Sequence, residues 1–223
     1  KMKKVLFLSF ILLIIGCNNK LKIDSETVWV NYLKNFGDSA KINNVKTIRY
    51  TCEYVNNGKI DGTSEVILKD DSKIFITFKS PEMEIITKFD GQNFVRHINN
   101  KIAEVPIKDQ VSLKRMCDFF HEVHYKKHGF KVELIGLDNI NNIEVYKVKY
   151  FLKDMISYYY INTTNYNVVK IESEYGEFWP IEIKEIEGIR YFSKYKSVDS
   201  YATIFTNILS MEINPEVNDS IFK

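Results

Sequence analysis

The chain has 223 residues, of which 45% are hydrophobic, 27% charged and 14% aromatic. This globular composition excludes disordered, collagen-like and coiled-coil proteins. The formal net charge is only +2, without the clustered Lys and Arg of a nucleic-acid binder, so we expect no nucleic-acid partner. Few Gly and Pro residues together with 14 Tyr and 15 Phe favour long, aromatic-rich strands.

The N-terminus has the pattern of a secretory signal peptide. Lys1, Lys3 and Lys4 precede an apolar run from Val5 to Ile15 that only Ser9 interrupts. This run is too short for a membrane span, which needs about 20 apolar residues. The sequence Ile14-Ile15-Gly16-Cys17 resembles the bacterial lipobox. The resemblance implies a lipoprotein signal peptide over residues 1–16, and an acylated Cys17 followed by a tether over residues 17–23.

The same resemblance predicts where the protein resides. Asn18 rather than Asp follows Cys17, which by analogy with diderm lipoproteins favours release to the outer membrane, facing the periplasm. Several acyl chains on one Cys would anchor the protein stably in the membrane, since each buried methylene contributes about 0.8 kcal/mol. The alternative is an ordinary signal peptide with an incidental cysteine.

Hydrophobic periodicity divides the rest of the chain into two strand blocks and two helices. Asp24 or Ser25 can cap a first helix, in which apolar residues recur at helical spacing up to Phe36. From Val45 to Val105 apolar and polar residues alternate, with turns such as Asn56-Asn57-Gly58. A second amphipathic helix is predicted over Asp109–His128, and alternation then resumes from Lys131 to Ile213. Pro180 predicts an edge or a bulge in its strand.

The apolar faces of the predicted strands must be covered, and this requirement predicts the architecture. About eleven mostly antiparallel strands each carry one apolar face, and two helices cannot cover a flat sheet of that width. The sheet must therefore curl into a closed barrel or into a half-barrel closed by the helices. Such a sheet tends to enclose space for an apolar ligand, and a fully packed core is the alternative.

The order and spacing of several segments resemble the LolA/LolB-type domains that carry and accept lipoproteins in the bacterial envelope. The resemblance covers residues 24–223 as one domain. It implies a mainly β (α+β) fold, an open antiparallel half-barrel of about eleven strands with two or three helices covering its concave face. The matching segments are the N-terminal helix, Tyr50–Tyr54, Gly62, Ser64–Leu68, Pro81, Asp90-Gly91-Gln92-Asn93-Phe94, Gly136–Tyr146, Tyr158–Asn162 and Ile186–Ile189.

One departure from that family concerns function. The carriers have a basic residue followed by Pro after the strand that corresponds to Ser64–Leu68. Here that stretch reads Lys69-Asp70-Asp71, so the functional Arg of the carriers has no counterpart. The resemblance therefore supports the fold more strongly than it supports lipoprotein transfer.

The concave face of the predicted half-barrel supplies the candidate ligand site. One alternating set from each of three strands has mostly charged or hydroxylic neighbours on the opposite face, and the apolar side of the second helix should close over these sets. A site of Met and aromatic residues would suit an adaptable apolar ligand. The candidate residues are Ile48, Tyr50, Tyr54, Val66, Leu68, Tyr146, Val148 and Tyr150 on strands, and Leu113, Met116, Phe120 and Val123 on the helix.

The second helix also carries Cys117, His121, His124 and His128, which would form one stripe at helical spacing. A stripe eleven positions long extends about 16 Å, too far for one tetrahedral metal site. His121-Glu122-Val123-His124 is one residue short of the HExxH motif. We therefore expect no metal, no cofactor, no catalytic residue and no enzymatic activity, and an enzyme that uses these histidines is a minor alternative.

Two cysteines remain if Cys17 is acylated. Cys52 lies on the apolar face of its strand, and Cys117 borders the apolar face of the covering helix. An oxidising compartment would permit a disulfide between them. Two buried thiols are the alternative.

Together these observations predict a lipid-anchored envelope protein that binds a hydrophobic ligand. The ligand would be an acyl chain, a lipid or a lipoprotein, and the role would be transport to or at the outer membrane. The alternative is a structural or adaptor lipoprotein with a filled core and a protein partner in the envelope.

Overall fold

The computed structural model describes residues 23–153 and 155–223. The predicted signal peptide, Cys17 and most of the tether lie outside the described residues. Three α-helices are present in the described part of the chain: α1 (Ser25–Leu33), α2 (Ser39–Asn43) and α3 (Ile107–Met116). Two short 3-10 helices cover Lys34–Phe36 and Asp219–Phe222.

The described residues form one antiparallel sheet of thirteen strands. The strands are β1 (Thr47–Asn56), β2 (Lys59–Lys69), β3 (Lys73–Lys79), β4 (Glu84–Phe89), β5 (Phe94–Ile98), β6 (Lys101–Ala103), β7 (Lys131–Ile140), β8 (Ile143–Leu152), β9 (Met155–Asn162), β10 (Val168–Ser173), β11 (Gly176–Ile186), β12 (Ile189–Val198) and β13 (Thr203–Ile213).

The strand order explains why the chain must cross the sheet. It runs β6-β5-β4-β3-β2-β1-β13-β12-β11-β10-β9-β8-β7, so two meanders meet at the β1–β13 pair and the sheet stays open between β6 and β7. These two edge strands are consecutive in sequence, and residues 104–130 connect them. Twelve strand-to-strand steps of about 4.8 Å would make a flat sheet about 58 Å wide. A curled sheet shortens the path that this connection, which contains α3, takes between the two edges.

The open, mainly β architecture confirms the predicted class, but the prediction of about eleven strands is too low. Tight turns divide the alternating segments into more strands. Both central residues of the turns at Asn57-Gly58, Asp70-Asp71, Asn99-Asn100, Asn141-Asn142 and Glu187-Gly188 have positive φ angles. Such turns match the twist of paired strands, so even the three-residue β6 pairs with its neighbour β5.

The first helix forms as predicted and supplies the centre of the larger core. Asp24 caps α1 by accepting a hydrogen bond from the Thr27 backbone N–H at 2.8 Å. Trp29 is completely buried against the rings of Tyr32, Tyr150 and Tyr159, with centroid distances of 4.9, 5.2 and 4.9 Å. A second apolar cluster lies under α3 and includes Val66, Leu68, Ile74, Phe89 and Leu113.

Pro180 lies in β11, an internal strand, and the predicted bulge is present there. The β11–β12 register shifts between Pro180 and Glu182, and again between Glu182 and Ile183. Proline has no N–H to donate to the ladder, so a strand that contains it internally departs from regular pairing. The irregular pairing also leaves Ser193 of β12 without a partner in the β11 register.

The second helix is shorter than predicted. It ends at Met116 rather than His128, and residues 117–129 form irregular turns. The Asp118 carboxylate accepts a hydrogen bond from the Phe120 backbone N–H at 3.0 Å. This local bond competes with helical pairing and stops the helix. The predicted helical stripe of Cys117, His121, His124 and His128 is therefore wrong.

Candidate functional site

A cavity lies between the sheet and the connection that crosses it. It has two adjoining chambers of about 300 and 410 Å³, which share Met116, His121, Glu122, Phe178 and Phe192. Residues of α3 and of the turns 118–122 form one wall, which we call the roof. Strand residues form the other walls.

Most of the strand walls are aromatic or aliphatic. The 300 Å³ chamber is bounded by β1, β2 and β11–β13, and the 410 Å³ chamber by β9–β12. Their strand residues with apolar or aromatic side chains are Tyr50, Leu68, Tyr159, Ile171, Phe178, Tyr191, Phe192, Tyr195 and Ile208. Such a lining favours a ligand with extended apolar surface.

A buried polar network crosses the roof. Arg115 Nη2 lies 3.0 Å from His121 Nε2, and His121 Nδ1 lies 3.3 Å from Glu122 Oε2. The Tyr159 hydroxyl donates to Glu122 Oε1 at 3.0 Å. The imidazole therefore lies between a guanidinium and a carboxylate, and Tyr159 holds the second carboxylate oxygen.

The charge of His121 follows from this environment. Burial lowers the pKa of His121; the Glu122 carboxylate opposes this shift and the Arg115 guanidinium adds to it. The ring is thus neutral near pH 7. Its Nε2 accepts from Arg115, which places the ring proton on Nδ1, 3.3 Å from Glu122 Oε2. Burial, reinforced by Glu122, also raises the pKa of Tyr159 well above its usual value, so this hydroxyl keeps its proton.

Arg115 retains donor capacity at the cavity. Its guanidinium lies over the rings of Phe130 and Tyr150, at 5.5 and 5.7 Å from their centroids. Its Nε is buried and has no hydrogen-bond partner among the described residues. Because Arg115 also lines the 410 Å³ chamber, a polar group of a ligand there would find an available donor.

Exposed apolar side chains lie at the 410 Å³ chamber and at the small pocket beside it. Met116 lines both chambers and is 40% exposed. Val111, Ile156 and Tyr175 are also exposed, and together they line a shallow depression that includes Arg115. Exposed apolar residues grouped at a cavity mouth are typical of sites that contact a membrane or an apolar ligand.

The predicted pocket residues divide into two groups. Tyr50, Leu68 and Met116 line the 300 Å³ chamber. The others line neither chamber, and most of them lie in the packed core. Those buried in the two core clusters are Ile48, Val66, Leu113, Phe120, Val148 and Tyr150, and Val123 and Tyr146 pack against the larger cluster. Tyr54 packs on the Phe78 ring, with a centroid distance of 5.7 Å.

Sequence reasoning missed the cavity residues of β11–β13 and the polar network. Phe192 and Tyr195 lie three positions apart on β12, so strict alternation would place them on opposite faces. Both line the cavity because the β11–β12 pairing is irregular at Ser193. Pro180 was the available signal, since it predicted a bulge in this region but not which side chains the bulge would reposition.

Three potential metal ligands converge on the roof segment. One oxygen or nitrogen atom each of Asp118, His124 and His128 lies within 4.8 Å of the others. His121, the third histidine of the predicted stripe, instead belongs to the cavity network.

Cys52 and Cys117 are both buried free thiols. This is the alternative to the disulfide that an oxidising compartment would permit between them. Among the described helices, none has the length and apolar character needed to cross a bilayer.

No protein-family model matches the sequence, and no curated protein matches it. Several solved structures share its fold. A LolA superfamily protein from Nitrosomonas europaea is 11% identical, with a TM-score of 0.58 over 90% of this chain and 98% of that protein. A DUF1329 family protein from Desulfovibrio piger is 8% identical, with a TM-score of 0.56 over 90% and 97% of the two chains. A domain from Vibrio parahaemolyticus described as an outer membrane lipoprotein-sorting protein domain is 6% identical, with a TM-score of 0.52 over 89% and 95%.

These likenesses span nearly the whole of each chain. They confirm that the predicted resemblance to LolA/LolB-type domains holds for the fold. At such low identities they carry no residue roles from those proteins to this one.

Proposed function

We propose that this protein is a lipid-anchored envelope protein that holds the apolar chain of an amphipathic ligand in its roofed cavity. The observation that carries the proposal is the pair of aromatic chambers between the curled sheet and the roof. In this proposal the protein makes and breaks no bond. Its work is the burial of apolar surface.

The chamber sizes suit such a ligand. Pockets of about 300–1,000 Å³ hold small molecules and cofactors. Each buried methylene contributes about 0.8 kcal/mol, so a segment of about eight methylenes would gain about 6 kcal/mol. The cost of ordering the ligand reduces this figure.

The roof favours a ligand with one polar end. The buried Nε of Arg115 has no partner among the described residues, and the guanidinium lies beside the 410 Å³ chamber. A carboxylate or phosphate group at the end of an acyl chain would be attracted by this positive charge. The apolar mouth formed by Val111, Met116, Ile156 and Tyr175 would let such a ligand enter from a membrane.

An adaptor with a filled core is the rival function, and the chambers argue against it. Anchoring through Cys17 and a location at the outer membrane, facing the periplasm, complete the proposal. The likeness to a LolA superfamily protein and to a lipoprotein-sorting domain supports a place in the envelope. The absence of an Arg after β2, where the carriers have one, leaves a lipid rather than a lipoprotein as the favoured cargo.

Bound lipid per protein tests the cavity. Ile208 and Leu209 are neighbours on β13, but Ile208 lines a chamber whereas Leu209 is 61% exposed. Ile208→Trp should fill part of the chamber and lower the amount of co-purifying lipid several-fold, while Leu209→Trp should leave it unchanged. Native mass spectrometry with lipid extraction, on protein shown to be folded by circular dichroism, measures this ratio. Equal lipid in both variants, or no lipid in the parent, would contradict the proposal.

Fractionation of cells tests the anchor. Cys17→Ala with the signal peptide retained should move the protein from the membrane fraction to the soluble envelope fraction, because the acyl chains would be lost. Cys52→Ala is the matched control, since Cys52 is buried within the domain and should not affect attachment. A Cys17→Ala protein that stays as firmly bound as the parent refutes lipid anchoring at this residue.

A further inference from the structure

Asp118, His124 and His128 meet in the irregular segment between α3 and β7. Asp118 Oδ2 lies 2.8 Å from His124 Nδ1 and 2.6 Å from His128 Nε2. We propose that these three side chains form a binding site for a divalent transition metal, with Zn²⁺ the best match.

The donor set selects the class of metal. Two imidazole nitrogens and one carboxylate oxygen suit Zn²⁺ and its neighbours in the first transition row, whereas Ca²⁺ and Mg²⁺ prefer oxygen ligands throughout. Cys117 is adjacent in sequence but is not a ligand in this proposal. Its Sγ donates to the Leu113 carbonyl, and burial raises the pKa of this thiol to about 12.

Surrounding groups orient two of the three ligands. Asp118 Oδ1 accepts from the Phe120 N–H, so only Oδ2 faces the two imidazoles. His124 Nε2 lies 3.2 Å from the Asn43 Oδ1 on α2. His124 Nδ1 and Asp118 Oδ2 are within hydrogen-bond distance, and a bound metal would take the place of the proton between them. Metal loading would therefore release a proton, as metal binding to imidazole ligands does in general.

The site has the accessibility that a metal needs. The Asp118 side chain is 5% exposed and that of His124 16%, but that of His128 is 34% exposed, which leaves a side open for a water ligand. Four-coordinate zinc with bonds of about 2.0–2.1 Å places its ligand atoms about 3.3 Å apart. Asp118 Oδ2, now 2.8 and 2.6 Å from the two nitrogens, would therefore move about 0.5–0.7 Å away from them on loading, which side-chain rotations within one turn segment can supply.

Metal binding would act on the roof of the cavity. Phe119, His121 and Glu122, which line the chambers, lie in sequence between the ligands Asp118 and His124. A metal bound by Asp118 on one side of these residues and by His124 on the other would restrain the backbone between the two ligands. His124 and His128 line neither chamber, whereas Asp118 also lines the 300 Å³ chamber, so the metal site and the cavity share one residue.

Titration of the metal-free protein with Zn²⁺ tests the proposal. Isothermal titration calorimetry should show one Zn²⁺ per chain, and Co²⁺ should give the visible absorption of a four-coordinate nitrogen and oxygen site. His128→Gln should weaken Zn²⁺ binding at least tenfold without unfolding the protein, since this ring is partly exposed. His97→Gln on β5 is the matched control and should bind as the parent does.

Asp118→Asn is less decisive by itself, because it also alters the turn at Phe120. Its circular dichroism spectrum separates a lost ligand from a lost fold. No saturable Zn²⁺ binding by the parent would mean that the three groups form hydrogen bonds only. Equal loss of affinity in His97→Gln and His128→Gln would place the metal elsewhere. Either result overturns the proposal, and neither bears on the lipid measurement.

Discussion

Replacement of Glu122 by Gln probes the polar network at the cavity roof. In the parent, Tyr159 donates to Oε1 and His121 Nε2 accepts from Arg115, while the protonated His121 Nδ1 lies 3.3 Å from Oε2. A Gln oxygen can still accept from Tyr159, but its NH₂ group then faces His121 Nδ1. The ring must move its proton to Nε2, where it opposes an Arg115 N–H. One substitution of nearly equal shape therefore removes the Arg115–His121 hydrogen bond and the attraction between His121 Nδ1–H and the carboxylate.

The magnitude follows from the charges involved. A hydrogen bond that involves a charged group contributes about 1.5–3 kcal/mol to stability. Arg115 is only partly buried, so water recovers some of the loss at the guanidinium. We expect Glu122→Gln to lower the free energy of unfolding by about 2–3 kcal/mol. Tyr159→Phe, which removes one bond and keeps the carboxylate, should cost about 1 kcal/mol.

A double-mutant cycle identifies the cause. Arg115→Met removes the guanidinium, so the combination with Glu122→Gln leaves no facing N–H groups, and the double variant should be more stable than the sum of the single losses predicts. Urea denaturation at pH 7 measures all four proteins. If Glu122→Gln stays within about 0.5 kcal/mol of the parent, or the two losses add exactly as independent sites would, the proton order assigned to this network is wrong.

Two further predictions follow from the ionisation of buried groups. Burial is the largest cause that lowers the pKa of His121 from 6.5, so the unfolded chain takes up this proton first and the free energy of unfolding should decrease as pH falls below about 6.5. Urea denaturation at pH 7.5 and 5.5 should show a smaller decrease in His121→Gln than in the parent. Equal decreases would contradict the burial of this ring. Burial also raises the thiol pKa of Cys52, and that of Cys117 to about 12. After iodoacetamide treatment, peptide mass spectrometry should therefore find both cysteines far less alkylated in the folded protein than in urea. Equal labelling in the two conditions would refute their burial.

Local signals in the sequence were sufficient for much of the fold. Asp24 indicates the start of α1 because its side chain can accept a hydrogen bond from the Thr27 N–H without any tertiary contact. Asn99-Asn100 indicates a hairpin turn because Asn tolerates a positive φ angle at both positions. Strand alternation identified the sheet for the same reason, since each residue's face depends on its immediate neighbours.

The candidate site was harder to predict because it depends on interruptions of those regular patterns. Val148 and Tyr150 follow the alternation faithfully and are therefore in the packed core rather than at the cavity. Phe192 and Tyr195 reach the cavity only because pairing is irregular around Ser193. Helical spacing likewise does not indicate that the Asp118 carboxylate accepts a hydrogen bond from the Phe120 N–H, the bond that ends the helix.

The end of α3 at Met116 is what gives the roof its two sets of polar groups. In a continuous helix, His121, His124 and His128 would share one stripe, and neither set could assemble separately. The Asp118 turn instead assigns His121 and Glu122 to the cavity, and brings His124 and His128 to the remaining carboxylate oxygen. Because β6 and β7 lie at opposite edges of the sheet, the chain must cross the concave face in this region. The topology therefore places the irregular, polar segment of the connection over the largely apolar cavity.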